Sequence, residues 1–256
     1  MRALCCHVAQ AVCGKENNMA FTIEDVNVLF EDNHILVVVK PQNIPVMGDE
    51  SGDLDLLTLL KNWIKERDNK PGDVYLGLVH RLDRPTGGVM VFAKTSKAAE
   101  RLCAAFKEHD IEKNYLAVIN GKLKQEKGTL VNWLKKNPNT NVVYVATSIT
   151  EGAKRAELNY QMLETFGPIS LVKVSLQTGR SHQIRVQMSA QNSPLFGDVK
   201  YGDKLAKGSN LALWAYELKF THPVTKDSMV FVAYPPEEKE PWKKFNLKEH
   251  LEKYYY

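Results

Sequence analysis

The chain of 256 residues is 44% hydrophobic and 25% charged, the balance of a globular protein rather than of a disordered tract or a membrane protein. No apolar run approaches the ~18 residues that cross a bilayer, and 34 Lys and Arg against 30 Asp and Glu leave a net charge of +4, too mild to announce a polyanionic partner by itself. Four cysteines, three of them at Cys5, Cys6 and Cys13, lack metal-finger spacing and read as reduced thiols of a cytoplasmic protein.

Residues 1–18 make a poor secretory signal and are expected to form a disordered tail, ahead of a single domain over 19–256. From Val26 to Lys40 two β-branched runs, VNVLF and ILVVVK, flank the polar EDNH and predict paired strands. Pro41 and Pro45 close them, since proline lacks the donor a central strand needs. Leu56, Leu57, Leu59, Leu60, Trp63 and Ile64 recur at helical spacing. They predict a helix to about Arg67, capped by Ser51 or Asp53. VYLGLVH then predicts a strand that delivers His80-Arg81-Leu82-Asp83 to a turn with Pro85, Gly87 and Gly88. GVMVFAK is a second strand, and Ser96 begins a helix with Ala98, Leu102, Ala105 and Phe106 on one face.

Tyr115 to Ile119 reads as a strand turned by Asn120-Gly121, a strong hairpin signal. VVYVAT, AELNYQML, ISLVKVSL, LALWAYELKF and SMVFVAYP predict further strands. Gln183 to Ala190 predicts a short helix entered from Gly179-Arg180-Ser181, and Trp242 to Tyr254 a charged terminal helix. This density of strands predicts an α+β fold with a large mixed, mainly antiparallel sheet flanked by helices.

Phosphate loops, dinucleotide fingerprints, HExxH and GxSxG are all absent from the sequence. Two polar clusters remain, His80 to Gly88 and Thr178 to Arg185, each where an apolar run ends in a turn. Strand ends hold reactive groups rigidly and turns expose them. Arg81 and Arg84 flank Asp83, with Arg180 available, so positive charge offsets the cost of desolvating the carboxylate. An ionised, oriented carboxylate acts as nucleophile or base; the blander reading is a turn-capping ion pair. Lys94, Lys97, Lys113, Lys122, Lys173, Arg185 and Lys200 form a candidate phosphate-contacting surface, although each taken singly reads as solvated charge. His80 and His182 have no Cys or His partner nearby that would support a metal site.

The string HRLDRPTGGVMVFAKT (80–95) closely resembles the signature of RluA-type RNA pseudouridine synthases. FEDNHILVVVKPQNIPV, KNYLAVINGK, TGRSHQIRVQM, PLFGDVKYG and LWAYELKFTHP resemble further segments of that family in the same order, from about Phe21 to Tyr234. The resemblance implies a pseudouridine synthase-like catalytic domain with no cofactor and no metal, acting on structured RNA (ribosomal in preference to transfer RNA) as a cytoplasmic monomer. It implies that Asp83 is the essential aspartate, that Tyr115 stacks on the target base and that Arg180 pairs with the aspartate. Arg81 is implied as a base-flipping or backbone contact, and Thr86, His182 and Arg185 as substrate-binding residues. With a short segment ahead of the opening strands, the separate N-terminal RNA-binding domain of many relatives is not expected here. Where many members have Thr-Ser-Gly, this chain has Thr86-Gly87-Gly88, which removes one hydroxyl.

Pseudouridine formation cuts the N1 to C1′ bond, rotates the uracil and joins C5 to C1′, with no electron or outside atom exchanged. One carboxylate suffices, whether by attack on C1′, removal of a sugar proton to give a glycal, or addition to C6. The uridine must be flipped out of its stack to be reached. A glycoside hydrolase would need two acidic groups in one site, and the motif offers Asp83 alone. An inactive RNA-binding relative would have lost Asp83, Tyr115 or Arg180, and all three are present.

Overall fold

The structure, a computed structural model, describes residues 21–202 and 208–251 together with the backbone of 5–9. In chain order the first elements are β1 (Cys5–Ala9), β2 (Asn27–Glu31), β3 (Ile35–Lys40), α1 (Leu56–Arg67), β4 (Gly77–Leu78), β5 (Gly87–Ala93) and α2 (Ser96–Glu108). Next come β6 (Glu112–Asn120), β7 (Lys127–Asn137), β8 (Val142–Ala146), β9 (Lys154–Phe166), β10 (Ile169–Leu176) and α3 (Gln183–Ala190). They are followed by β11 (Leu213–Thr221), β12 (Ser228–Ala233) and α4 (Leu247–Leu251). This is the α+β chain the patterning predicts, with mixed, mainly antiparallel strands flanked by helices. It divides into two compact units: the residues up to Glu112 with Ala215–Pro236, and Lys113–Trp214 with the residues from Glu237.

In the first unit β3 and β5 are central. Every residue of both is buried, which is why ILVVVK and GGVMVFA read as unbroken apolar runs rather than alternating ones. β2 and β3 form the expected antiparallel hairpin; Asp32 Oδ1 closes it by accepting from the backbone N–H groups of His34 and Ile35, both at 2.7 Å. The strand expected over VYLGLVH shortens to Gly77–Leu78. β3 occupies one edge of β5 from Gly88 to Ala93, β11 is its other neighbour, and β4 pairs with it only at Phe92 and Ala93. The cap of α1 is Asp55, whose Oδ1 accepts from Thr58 N at 2.9 Å, because it immediately precedes Leu56; Ser51 and Asp53 are engaged elsewhere. α2 begins behind Thr95, and its buried face carries Ala98 and Leu102. The expected tail over 1–18 lies outside the described residues except at Cys5–Ala9, whose backbone pairs parallel with β12.

In the second unit the antiparallel order is β6-β10-β9-β7-β8. β7, an 11-residue strand, is absent from the sequence expectations. Asn120-Gly121 ends β6 but turns no hairpin. β6 pairs with β10, and β7 pairs with β8 and β9, while Gly121 N donates to Pro168 O at 2.7 Å. α3 covers one sheet face, where Leu134, Val143, Ala156 and Val186 are buried together. The terminal helix is shorter than predicted within the described residues, a 3-10 turn at Trp242–Lys244 followed by α4.

Candidate active site

Asp83 lies in the first unit at the head of a tight turn, half-buried, with its carbonyl accepting from Thr86 N at 2.9 Å. Beneath the turn is Lys40, the last residue of β3, which is completely buried. Its ammonium donates to Pro41 O at 2.8 Å and to Arg84 O at 3.0 Å, and β3 pairing sets it opposite Gly88. Burial pushes the Lys40 ammonium down to about 7 from its ordinary 10.5, the Asp83 carboxylate opposes that shift, and the Arg84 charge adds to it. Sequence reasoning missed Lys40 as a functional residue. Its signal is a cation closing an otherwise apolar strand, since an ammonium at such a place needs carbonyls and a carboxylate around it.

Gly88 fixes how closely this turn approaches its neighbour. Its φ is +123°, and a Cβ built there meets Ala215 O at 2.2 Å and Ala215 N at 2.6 Å. Only glycine fits. Thr86 is buried with its Oγ1 lacking a protein partner. His80 is packed rather than poised: its Nε2 accepts from Val91 N at 3.0 Å and its ring stacks on Phe106 at 4.5 Å.

The two arginines beside Asp83 take different paths. Arg84 directs its guanidinium into the loop before α1, donating to Asn43 O at 3.1 Å and Ser51 Oγ at 2.9 Å and forming ion pairs with Asp49 and Asp53. Hydrogen bonds from Ser51, with a smaller contribution from Arg84, hold the Asp49 carboxyl below the usual carboxylate range; the Arg84 hydrogen bond does the same for Asp53, and Asp53 in turn raises the guanidinium. The sequence-based view that Arg84 offsets the charge of Asp83 therefore meets a guanidinium already committed to Asp49 and Asp53. Arg81 stays exposed, its Nη1 at 3.9 Å from Met47 Sδ.

The second unit holds Tyr115, Arg180, His182 and Arg185. Tyr115 is nearly buried on β6, across from Val174. Arg180 is exposed on the turn between β10 and α3, its Nε donating to Arg155 O at 3.0 Å. The turn is locked by buried Gln183, whose Oε1 accepts from Arg180 N at 3.0 Å and Thr178 Oγ1 at 2.8 Å while its Nε2 donates to Glu157 O at 3.0 Å. Gln183 is a second positioning residue that sequence reasoning passed over. His182 adopts the left-handed conformation at φ 52°, and its Nδ1 lies 2.6 Å from Tyr201 Oη, which accepts from Val143 N at 2.8 Å.

Arg185 departs from the expected surface contact. It is buried and bidentate to Asp198, both bonds 2.8 Å, and Asp198 Oδ1 also accepts from the backbone of Lys200 and Tyr201. Helix α3 turns this side chain inward, so it braces the loop after α3 from inside the fold. Among the described residues there is no cluster of three or more His, Cys, Asp or Glu side chains able to hold a metal ion, and no helix is long and apolar enough to cross a membrane.

Comparison with known proteins gives these residues a context. The sequence profile described as RNA pseudouridylate synthase matches residues 34–190. The chain is 32% identical over 240 residues to the ribosomal large subunit pseudouridine synthase D of Neisseria meningitidis, covering 87% of this chain and 62% of that protein. It is 34% identical over 226 residues to an uncharacterized RNA pseudouridine synthase of Aquifex aeolicus, covering 83% of this chain and 70% of that one. Among solved structures, Human RNA Pseudouridylate Synthase Domain Containing 4 shares the fold, with a TM-score of 0.70 and 24% identity over 82% of this chain and 88% of its own.

Proposed function

The chain belongs to the RNA pseudouridylate synthase family, and from that premise we propose that it isomerises particular uridines of structured RNA to pseudouridine, with Asp83 as the essential carboxylate. The observation that carries this reading is the Asp83 turn, tied at its backbone by Thr86 and from below by the buried ammonium of Lys40. A carboxylate fixed in this way spends little energy on reorganisation as charge moves in the reaction.

The reaction leaves the uracil ring intact. The N1 to C1′ bond breaks, the base turns, C5 bonds to C1′, and the proton on C5 leaves while N1 takes one up. Tyr115 stacks on the everted base, and Arg180 supplies positive charge that the same reaction uses. Arg81, exposed beside Asp83, contacts the RNA where the uridine has left its stack. Thr86 and His182 complete the substrate-binding set. Ribosomal RNA is the favoured substrate, an inference supported by the name of the Neisseria relative, a ribosomal large subunit pseudouridine synthase.

Mapping by carbodiimide modification and primer extension tests this reading. A strain lacking the gene loses one or a few pseudouridines from ribosomal RNA; plasmid-borne wild type restores them, and Asp83→Asn does not. Restoration by Asp83→Asn, or an unchanged map in the deletion strain, overturns it.

A further inference from the structure

The two faces of the β7-β8-β9 sheet differ sharply. One packs beneath α3 through Leu134, Val143 and Ala156. Strand pairing sets the other: Trp133 lies between Ala146 and Arg155, Lys135 opposite Tyr144, and Lys127 opposite Gln161. Because side chains alternate along a strand, Lys127, Val131, Trp133 and Lys135 share this outer face with Tyr144 and Arg155. It is open at Val131, 48% exposed, and Tyr144, 43% exposed, with Trp133 and Lys135 half-buried. Its charge is one-sided. Lys127, Lys135 and Arg155 stand against Glu157, which pairs with Arg155 at 2.5 Å, so two positive charges are left over on the face.

Two features point to a single occupant. Aromatic rings set among cations on an open sheet match the chemistry of a single-stranded polynucleotide, whose bases stack on the rings while its phosphates meet the lysines. The face is also joined to the candidate site. Arg155, near the start of β9 at one side of it, receives through its carbonyl the hydrogen bond from Arg180 Nε, so a strand lying on the sheet runs on toward the Arg180 turn.

We propose that the outer face of β7, β8 and β9 is a landing surface for single-stranded RNA flanking the target uridine, with Tyr144 and Trp133 as stacking platforms and Lys127, Lys135 and Arg155 as phosphate contacts. This rests on the pseudouridine synthase reading for the identity of the RNA as substrate, although the binding itself requires no turnover.

The test uses the full chain and a fluorescein-labelled oligouridylate of about 20 nucleotides, a length that spans a stacking surface of this kind. Tyr144→Ala weakens binding about tenfold. The double substitution Lys127→Glu with Lys135→Glu weakens it further and makes the dependence of log affinity on log salt shallower by about 0.7 per lost phosphate contact. Thermal unfolding serves as control, since Lys127 and Tyr144 are exposed. Affinity and salt slope that match wild type in both variants overturn the proposal. So does sedimentation showing that wild type is a dimer that Tyr144→Ala dissociates, because the face is then an interface between copies. The Asp83→Asn protein binds the oligonucleotide as tightly as wild type; absence of pseudouridine formation by wild type refutes the function and leaves the binding result to stand or fall by itself.

Discussion

The buried ammonium of Lys40 donates to the carbonyl of Arg84 at 3.0 Å, which ties the end of β3 to the residue that follows Asp83. A side chain 44 positions away in sequence thus supports the Asp83 turn from beneath. The arrangement costs stability, because an ammonium has been taken out of water, and it returns rigidity to the turn.

That cost is measurable. Lys40 in the folded protein titrates at about 7 instead of its ordinary 10.5. Between these values the unfolded chain holds the proton and the folded chain does not, so this group makes stability rise with pH across that window. The slope is at most about 1.4 kcal/mol per pH unit. In Lys40→Met this contribution is missing. Urea denaturation at several pH values is expected to show wild type gaining stability relative to Lys40→Met from pH 7 toward pH 10; a constant difference would contradict the burial of a titrating ammonium.

Gly88→Ala is expected to destabilise the first unit by about 3 kcal/mol or more, since a methyl group forced onto the Ala215 backbone at a positive φ has nowhere to move. Gly152→Ala serves as the comparison. Its φ is also positive, at +73°, but a Cβ there meets nothing within 4 Å. Equal losses in the two variants would mean that strain at positive φ, and not the Ala215 contact, sets the cost.

Arg185→Ala separates two roles. As the buried partner of Asp198 its loss leaves an uncompensated carboxylate, with an expected cost of about 3–5 kcal/mol seen as a lowered Tm. A phosphate contact would instead leave Tm unchanged and weaken RNA binding.

Much of this was legible in the sequence. β3, β5, the β2–β3 hairpin, α2 and the span of α3 follow from apolar runs and helical spacing, because those elements are buried along a whole strand or one helix face. β7 was hidden because its burial is shallow and its outer face mixes Lys, Thr, Val and Trp, which blurs the alternation. The Asn120-Gly121 signal was misleading because turn chemistry is local while the partner of β6 is a strand some 50 residues later. At the candidate site, the family resemblance drew attention to Asp83 and Arg180, whereas the commitment of Arg84 to Asp49 and Asp53, and of Arg185 to Asp198, depends on contacts between distant segments. Lys40 and Gln183 went unnoticed for the same reason. Each acts on backbone carbonyls or amides; a cation closing an apolar strand hints at Lys40, whereas no residue pattern advertises Gln183.

The most direct measurement follows tritium release from RNA transcribed with 5-tritiated uridine, because the proton on C5 leaves only when C5 bonds to C1′. Wild-type protein is expected to release tritium from ribosomal RNA of the deletion strain, and Asp83→Asn to do so at a rate lower by on the order of 10³-fold or more while binding that RNA equally well. Release by Asp83→Asn at the wild-type rate would contradict the role assigned to this carboxylate.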